Sequence, residues 1–256
     1  MSGRAAPQEP PSTTGTGKRA RFREALAKLG GAQKTKVGVP AYLRFVNRRL
    51  GGWLAAAGYG LGLTPNHLTA TSAALSAAAI AALALVDPSP AMAVLFTLGL
   101  LLGYAFDSAD GQLSRVRGDG KPSGEWLDHV VDVAKTASLH AAVAISLARF
   151  AHVGDGWLLV PLAFGIVNIT FFFGMMLRDQ LGGRPARPTG TDDATGAGST
   201  VRSFVLVPMD YGTLCLVFLT LSAPMVFLTI YTALLLAMVA FTAQSFAKAY
   251  RTLAGA

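Results

Sequence analysis

The chain has 256 residues, of which 52% are hydrophobic and only 14% charged, and its mean hydropathy is +0.45. Soluble domains carry about 25% charged residues, so this composition excludes extended disorder for most of the chain and favours a membrane-embedded protein. The formal charge of +8 leaves nucleic acid open as a partner until the placement of the 22 Lys+Arg and 14 Asp+Glu is considered.

Residues 1–36 read as a basic, largely disordered cytoplasmic tail, whose first seventeen residues are rich in Pro, Ser, Thr and Gly. Residues 1–50 hold eleven basic residues against two acids, Glu9 and Glu24. No apolar run within the first 35 residues resembles a signal peptide. Because the basic tail precedes apolar segments, retention in the cytoplasm and contact with anionic lipid explain it better than nucleic acid does. Residues 37–60 follow as a juxtamembrane amphipathic helix. Val39, Leu43, Val46, Leu50 and Trp53 recur at three- and four-residue steps, with Arg44, Arg48 and Arg49 off that stripe.

Six apolar segments come next, at about 67–86, 91–112, 125–149, 157–178, 204–222 and 225–247. A bilayer crossing takes about 20 apolar residues. The expected fold is therefore an all-α integral membrane protein with six transmembrane helices, spanning 61–250, and a short cytoplasmic tail at 251–256. Cys215 is the single cysteine and falls in the fifth segment, where a buried, inert thiol is expected. Residues 182–200 read as a polar loop. With both termini inside, the inner side collects the tail, Arg115, Arg117, Lys121, Arg178, Arg184, Arg187, Arg202, Lys248 and Arg251. The outer side has only Arg149, beside Asp87 and Asp155. This asymmetry sets the termini in the cytoplasm and accounts for the net charge without nucleic acid. The Ala, Gly and Arg usage suggests a GC-rich bacterial genome, hence the plasma membrane.

Polar residues concentrate at 107–135. Asp107, Asp110, Gly111, Ser114 and Arg115 share one side of the second apolar helix at about 100° per residue. Gly124, Asp128, Asp132 and Lys135 share a face of the third, with Glu125 and His129 on its shoulder. The short connection predicts antiparallel neighbours, so the acidic faces meet near the cytoplasmic end. Four carboxylates in a partly dry site repel unless they hold cations or change protonation. Oxygen ligands favour Mg²⁺, Mn²⁺ or Ca²⁺, and two such ions would clamp a phosphoryl group. Gly111 and Gly124 allow close approach of a ligand, and Arg115 can fork onto a phosphate.

These residues resemble the signature of the CDP-alcohol phosphotransferase family, Asp-x-x-Asp-Gly-x-x-Ala-Arg followed by Gly-x-x-x-Asp-x-x-x-Asp. Ser114 stands in place of the Ala. Leu63-Thr64-Pro65-Asn66-His67-Leu68-Thr69 also looks like the family's entry into its first membrane helix. The resemblance is close only over 63–69 and 107–132. It implies transfer of a phospho-alcohol group from a CDP-linked donor to an acceptor hydroxyl, with release of CMP. It implies two divalent cations, Mg²⁺ or Mn²⁺, on Asp107, Asp110, Asp128 and Asp132, with Asp132 also the general base. Asp110, Gly111, Ser114, Arg115, Gly124 and Asn66 would bind CDP, and a homodimer is implied. Glu125 and His129 are similar to the choline/ethanolamine phosphotransferase branch, which makes His129 a candidate proton relay. Lys135, Arg178 and Glu125 are candidates for acceptor or phosphate binding.

Two donors stay open: CDP-diacylglycerol with a small polar alcohol, favoured here, and a soluble CDP-alcohol with a lipid acceptor such as diacylglycerol. An intramembrane prenyltransferase, which also uses Asp-rich metal sites, and a non-enzymatic ion transporter are the competing classes. His67, His140 and His152 show no metal-ligand spacing. Asn168 and Gln244 read as interhelical hydrogen-bonding groups.

Overall fold

The computed structural model describes residues 17–31, 39–182 and 203–255. Among them the chain is all α, with no strand. The helices are α1 (Lys18–Gly31), α2 (Arg48–Leu61), α3 (Pro65–Leu85), α4 (Pro90–Arg117), α5 (Pro122–Phe150), α6 (Leu159–Leu181), α7 (Tyr211–Val217) and α8 (Pro224–Ala254). Proline sits in the first turn of α3, α4, α5 and α8, where its missing N–H costs nothing. Gly62 and Gly118 close α2 and α4 with left-handed backbone, φ 74° and 68°, which only glycine adopts without strain.

The α1 helix corrects the expectation of a largely disordered tail over 1–36. Phe22, Ala25 and Leu29 lie at helical spacing, and Ala25 and Leu29 are buried. Short helices gain stability mainly from tertiary packing, and α2 supplies that partner. Phe22 meets Trp53 edge to face at 6.2 Å. Residues 1–16, 32–38 and 183–202 lie outside the described residues, so the expected polar loop and Arg184, Arg187 and Arg202 do too.

A π-helical turn, Leu43–Asn47, leads into α2. The stripe Val46, Leu50 and Trp53 is uncovered, while Asn47, Gly51, Gly52 and Ala55 are buried on the other face. That face docks on α4. Asn47 Nδ2 donates to the Tyr104 carbonyl at 3.1 Å, and Gln112 Nε2 donates to the Arg48 carbonyl at 3.0 Å.

Five helical stretches are long and apolar enough to cross a membrane: Pro65–Leu85, Pro90–Arg117, Pro122–Phe150, Asp155–Leu181 and Pro224–Ala254. They coincide with five of the six expected segments. Their outward faces are apolar, with Leu95 and Leu98 on α4 and Leu162 and Ile166 on α6 exposed, as lipid contact requires. The remaining segment, 204–222, folds as shorter pieces. A 3-10 turn at Val207–Met209 precedes α7, and a second at Phe218–Thr220 follows it. Tyr211–Thr220 covers about 15 Å at 1.5 Å per residue, half of a bilayer core of about 30 Å. Helix α8 continues to Ala254, so most of the expected tail at 251–256 is its last turn.

Phe164 packs on Tyr231 at 4.9 Å and Phe171 on Phe241 at 5.5 Å, so α6 and α8 run parallel. Inside, His140 is buried and joins three helices: its Nε2 lies 2.9 Å from Asn168 Nδ2, and its Nδ1 is bonded to the Tyr231 hydroxyl. Asn168 is thus an interhelical hydrogen-bonding group, as expected. Gln244 is exposed instead.

Helices α3 and α4 are antiparallel and tightly packed through small residues. A Cβ on Gly99 would stand 2.8 Å from that of Ala79, and one on Gly103 would overlap the Ser76 hydroxyl. Helix α3 also packs along α5. The antiparallel α4 and α5, expected as direct neighbours, barely approach each other backbone to backbone. Helix α3 bridges them, and a cleft is left between.

Candidate functional site

The cleft lies at the end of the bundle where α4 finishes and α3 and α5 begin. Asp107 and Asp110 face it from α4, and Asp128, His129, Asp132 and Lys135 from α5. Lys135 is the central contact. Its Nζ forms ion pairs with Asp107 Oδ1 and with Asp132 Oδ1, the latter at 2.8 Å, and donates to Ser72 Oγ at 3.4 Å. One ammonium thus ties two carboxylates from different helices. In this geometry the Lys135 ammonium offsets the charge of these two acids.

Asp110 lies deeper and is buried. It accepts a hydrogen bond from Thr69 Oγ1 at 2.6 Å, and Asp128 is close enough to repel it electrostatically. All four acids grouped by helical periodicity therefore meet across the cleft. Asp128, His129 and Asp132 can each offer one ligand atom, all within 4.8 Å of one another. Carboxylate oxygens with one imidazole suit Mn²⁺ and, with the oxygens alone, Mg²⁺. The residues present thus fit a divalent cation. His129 Nδ1 is buried with no hydrogen bond, and its ring lies edge-on to Phe172 at 5.7 Å.

The neighbouring residues build a polar rim. The Arg115 guanidinium curls back over Gly111, where a Cβ would stand 3.4 Å from its Nη1. Arg115 Nε is buried and makes no hydrogen bond among the described residues. Asp110 and Arg48 of α2 lie within electrostatic reach of it. A Cβ on Gly124 would stand 3.4 Å from Asn66 Oδ1, so Asn66 covers the start of α5. Ser114 turns its hydroxyl to Gly120 in the connecting loop, 2.9 Å from where a Cβ would be. Glu125 is exposed. Arg178, at the same end of α6, pairs with its neighbour Asp179, its Nε donating at 2.8 Å, and is not joined to the carboxylates.

The Thr64–Thr69 stretch has both a structural and a site role. The Thr64 hydroxyl accepts from the His67 N–H at 3.4 Å, and His67 Nδ1 accepts from the Thr64 N–H at 3.2 Å. This reciprocal cap starts α3 and gives His67 a structural task. Two turns of sequence then place Asn66 over Gly124 and Thr69 on Asp110. Sequence reasoning missed Thr69, Ser72 and Arg48 as site residues. Thr69 stood in the quoted stretch, but a hydroxyl on an Ala-rich helix has no signal of its own.

Lys135→Met should tighten divalent-cation binding by roughly tenfold. The change removes a positive charge a few ångströms from Asp107 and Asp132 and leaves two carboxylates in a partly desolvated cleft. Mn²⁺ titration followed by electron paramagnetic resonance checks this, and unchanged affinity would mean the ammonium and the metal do not share these carboxylates.

No protein-family model matches the chain, and no curated protein matches it.

Proposed function

We propose that the chain is a CDP-alcohol phosphotransferase of phospholipid synthesis, with CDP-diacylglycerol as donor and a small polar alcohol as acceptor. The observation that carries this reading is the meeting of the acids of α4 with those of α5: Lys135 joins Asp107 to Asp132, and Asp110, held by Thr69, lies within electrostatic reach of Asp128. These are the acids of the resembled signature, and they come from two helices that need not have faced each other. The parallel course of α6 and α8 supports a sixth, broken passage through 203–221. It favours both chain ends and the cleft on one side, the basic cytoplasmic side of a bacterial plasma membrane.

In this reading the acceptor oxygen attacks the β-phosphorus of the donor. The bond from that phosphorus to the oxygen bridging to CMP breaks, and CMP leaves with the electron pair. Asp132 takes the acceptor's proton, which requires hydrogen-bond reach. Asp107, Asp110, Asp128 and Asp132 would hold two divalent cations, Mg²⁺ or Mn²⁺, whose charge would neutralise the diphosphate and the departing CMP. Arg115, poised over Gly111 with its Nε unbonded, would grip a CDP phosphate. Asn66 and Gly124 would frame the nucleotide. Lys135, released from its carboxylates, would meet a phosphate on donor or acceptor.

Full-length protein purified in detergent, given labelled CDP-diacylglycerol and a panel of alcohols, should release CMP only with Mg²⁺ or Mn²⁺. Chelation should lower the rate by at least about 10²-fold, reversibly. Release only from a soluble CDP-alcohol in the presence of diacylglycerol would support the alternative donor, which the Glu125 and His129 pattern favours. No CMP from any CDP donor would overturn the proposal. A prenyltransferase is less favoured because the acids lie on consecutive helices, and a transporter would show ion flux without turnover.

A further inference from the structure

Outside the cleft, α1 and α2 enclose an open groove of about 480 Å³. It is lined by the cationic Lys18, Arg19 and Arg23 and by the apolar Phe22, Ala57 and Leu61. The i, i+4 pairs Lys18/Phe22 and Arg19/Arg23 turn one ridge of α1 toward the Ala57/Leu61 ridge of α2. Gly60 permits the close approach, since a Cβ there would stand 3.0 Å from the Lys18 carbonyl oxygen. All three cations are exposed. Among the described residues no acid lines the groove, and the one acid of α1, Glu24, is tied to Lys28 at 2.7 Å.

The groove continues an apolar surface. Val46 of the π-helical turn and Leu50, Trp53 and Leu61 of α2 are exposed at three-, four- and eight-residue steps, which makes one uncovered stripe ending at the basic residues of the groove. An apolar stripe beside a cationic edge is the pattern of a helix seated in the headgroup region of an anionic leaflet. Gly58 of α2 packs on Leu68 and Leu113, so this end of α2 sits beside the end of the bundle that carries the cleft, where headgroups lie.

We infer that the α1–α2 groove binds the phosphate headgroup of an anionic phospholipid from the surrounding bilayer. The three cations hold the phosphate, Phe22 and Leu61 contact the glycerol and the upper acyl carbons, and α1 is clamped to α2 by the lipid. The site is separate from the carboxylate cleft and does not depend on the proposed reaction.

The test uses the full chain with Trp126→Phe and Trp157→Phe, so that Trp53, against Phe22 at the groove, is the sole indole. The protein is titrated in mixed micelles with brominated phosphatidylglycerol or brominated phosphatidylcholine, and quenching of Trp53 is read. The expected result is half-quenching at a mole fraction of the anionic lipid lower by on the order of tenfold. Arg19→Gln with Arg23→Gln should bring the two lipids within about twofold. Arg49→Gln, on α2 away from the groove, should keep the preference. Equal quenching by both lipids, or an undiminished preference in the doubly substituted protein, would overturn the inference. Release of the quench by millimolar inorganic phosphate would also overturn it, assigning the groove to a soluble anion. Asp132→Asn should leave the quench unchanged, which keeps this result distinct from failure of the enzymatic reading.

Discussion

Asp132→Asn is expected to lower CMP release by about 10³-fold while leaving nucleotide affinity within about threefold, the scale of losing a positioned general base. Asn keeps the size and hydrogen-bonding outline of the carboxylate and loses its capacity to take a proton. The fold should tolerate the change, because Asp132 is the more exposed member of the Lys135 pair. Its side chain is 31% accessible, against 19% for Asp107. Lys135 would keep Asp107 and the Ser72 hydroxyl as partners. Single-turnover CMP release with calorimetric CDP binding separates the two quantities. Turnover equal to wild type would remove Asp132 from the base role. Loss of CDP binding together with turnover would instead make it chiefly a metal-holding or structural group.

The second large effect is on stability. Gly103→Ile should lower the melting temperature of detergent-solubilised protein by about 5 °C or more, the scale of overpacking by about 1–3 kcal/mol in a domain of this size. Any Cβ at 103 meets the Ser76 hydroxyl of α3, with the Ser72 carbonyl oxygen of the same helix 3.3 Å away. The Ser72 hydroxyl donates to the Gly103 carbonyl at 2.8 Å, so α3 cannot shift without losing that bond as well. Small residues are what bring helices together where lipid is as apolar as any side chain. The same contact lies one turn before Asp107. Prying α4 from α3 would also separate Asp110 from Thr69 and draw Asp107 away from Lys135, so activity should fall with stability. Thermal aggregation followed by size-exclusion chromatography gives the shift. A wild-type melting temperature would mean the α3–α4 contact is not close-packed in the working protein.

Much of the architecture was legible because lipid imposes long apolar runs and leaves polar residues only where they have a task. The expected segments coincide with α3, α4, α5, α6 and α8 to within a few residues at their starts. Periodicity also placed Asp107 with Asp110 and Asp128 with Asp132, because the 3.6-residue repeat fixes a face regardless of neighbours. Helix α1 was not legible, since Phe22, Ala25 and Leu29, set among charges, stabilise little until α2 covers them. Nor was the interruption of 204–222. Its hydropathy is continuous, but Asp210 ends the preceding turn and caps α7 through the Gly212 N–H at 3.1 Å, and it also accepts from the Leu43 N–H at 3.0 Å. That second bond comes from 167 residues away.

By itself, the sequence determined an all-α chain of membrane type, the helix faces that carry acid, and the end of the bundle where they gather. Only the tertiary structure decided what stands between those faces. The α3 helix stands between α4 and α5, giving Thr69 to Asp110 and Ser72 to Lys135, and Lys135 spans the gap that remains. The reason is physical: periodicity sets the direction of a side chain about its own helix axis, whereas the distance between two helices depends on which residues of a third are small enough to let it in.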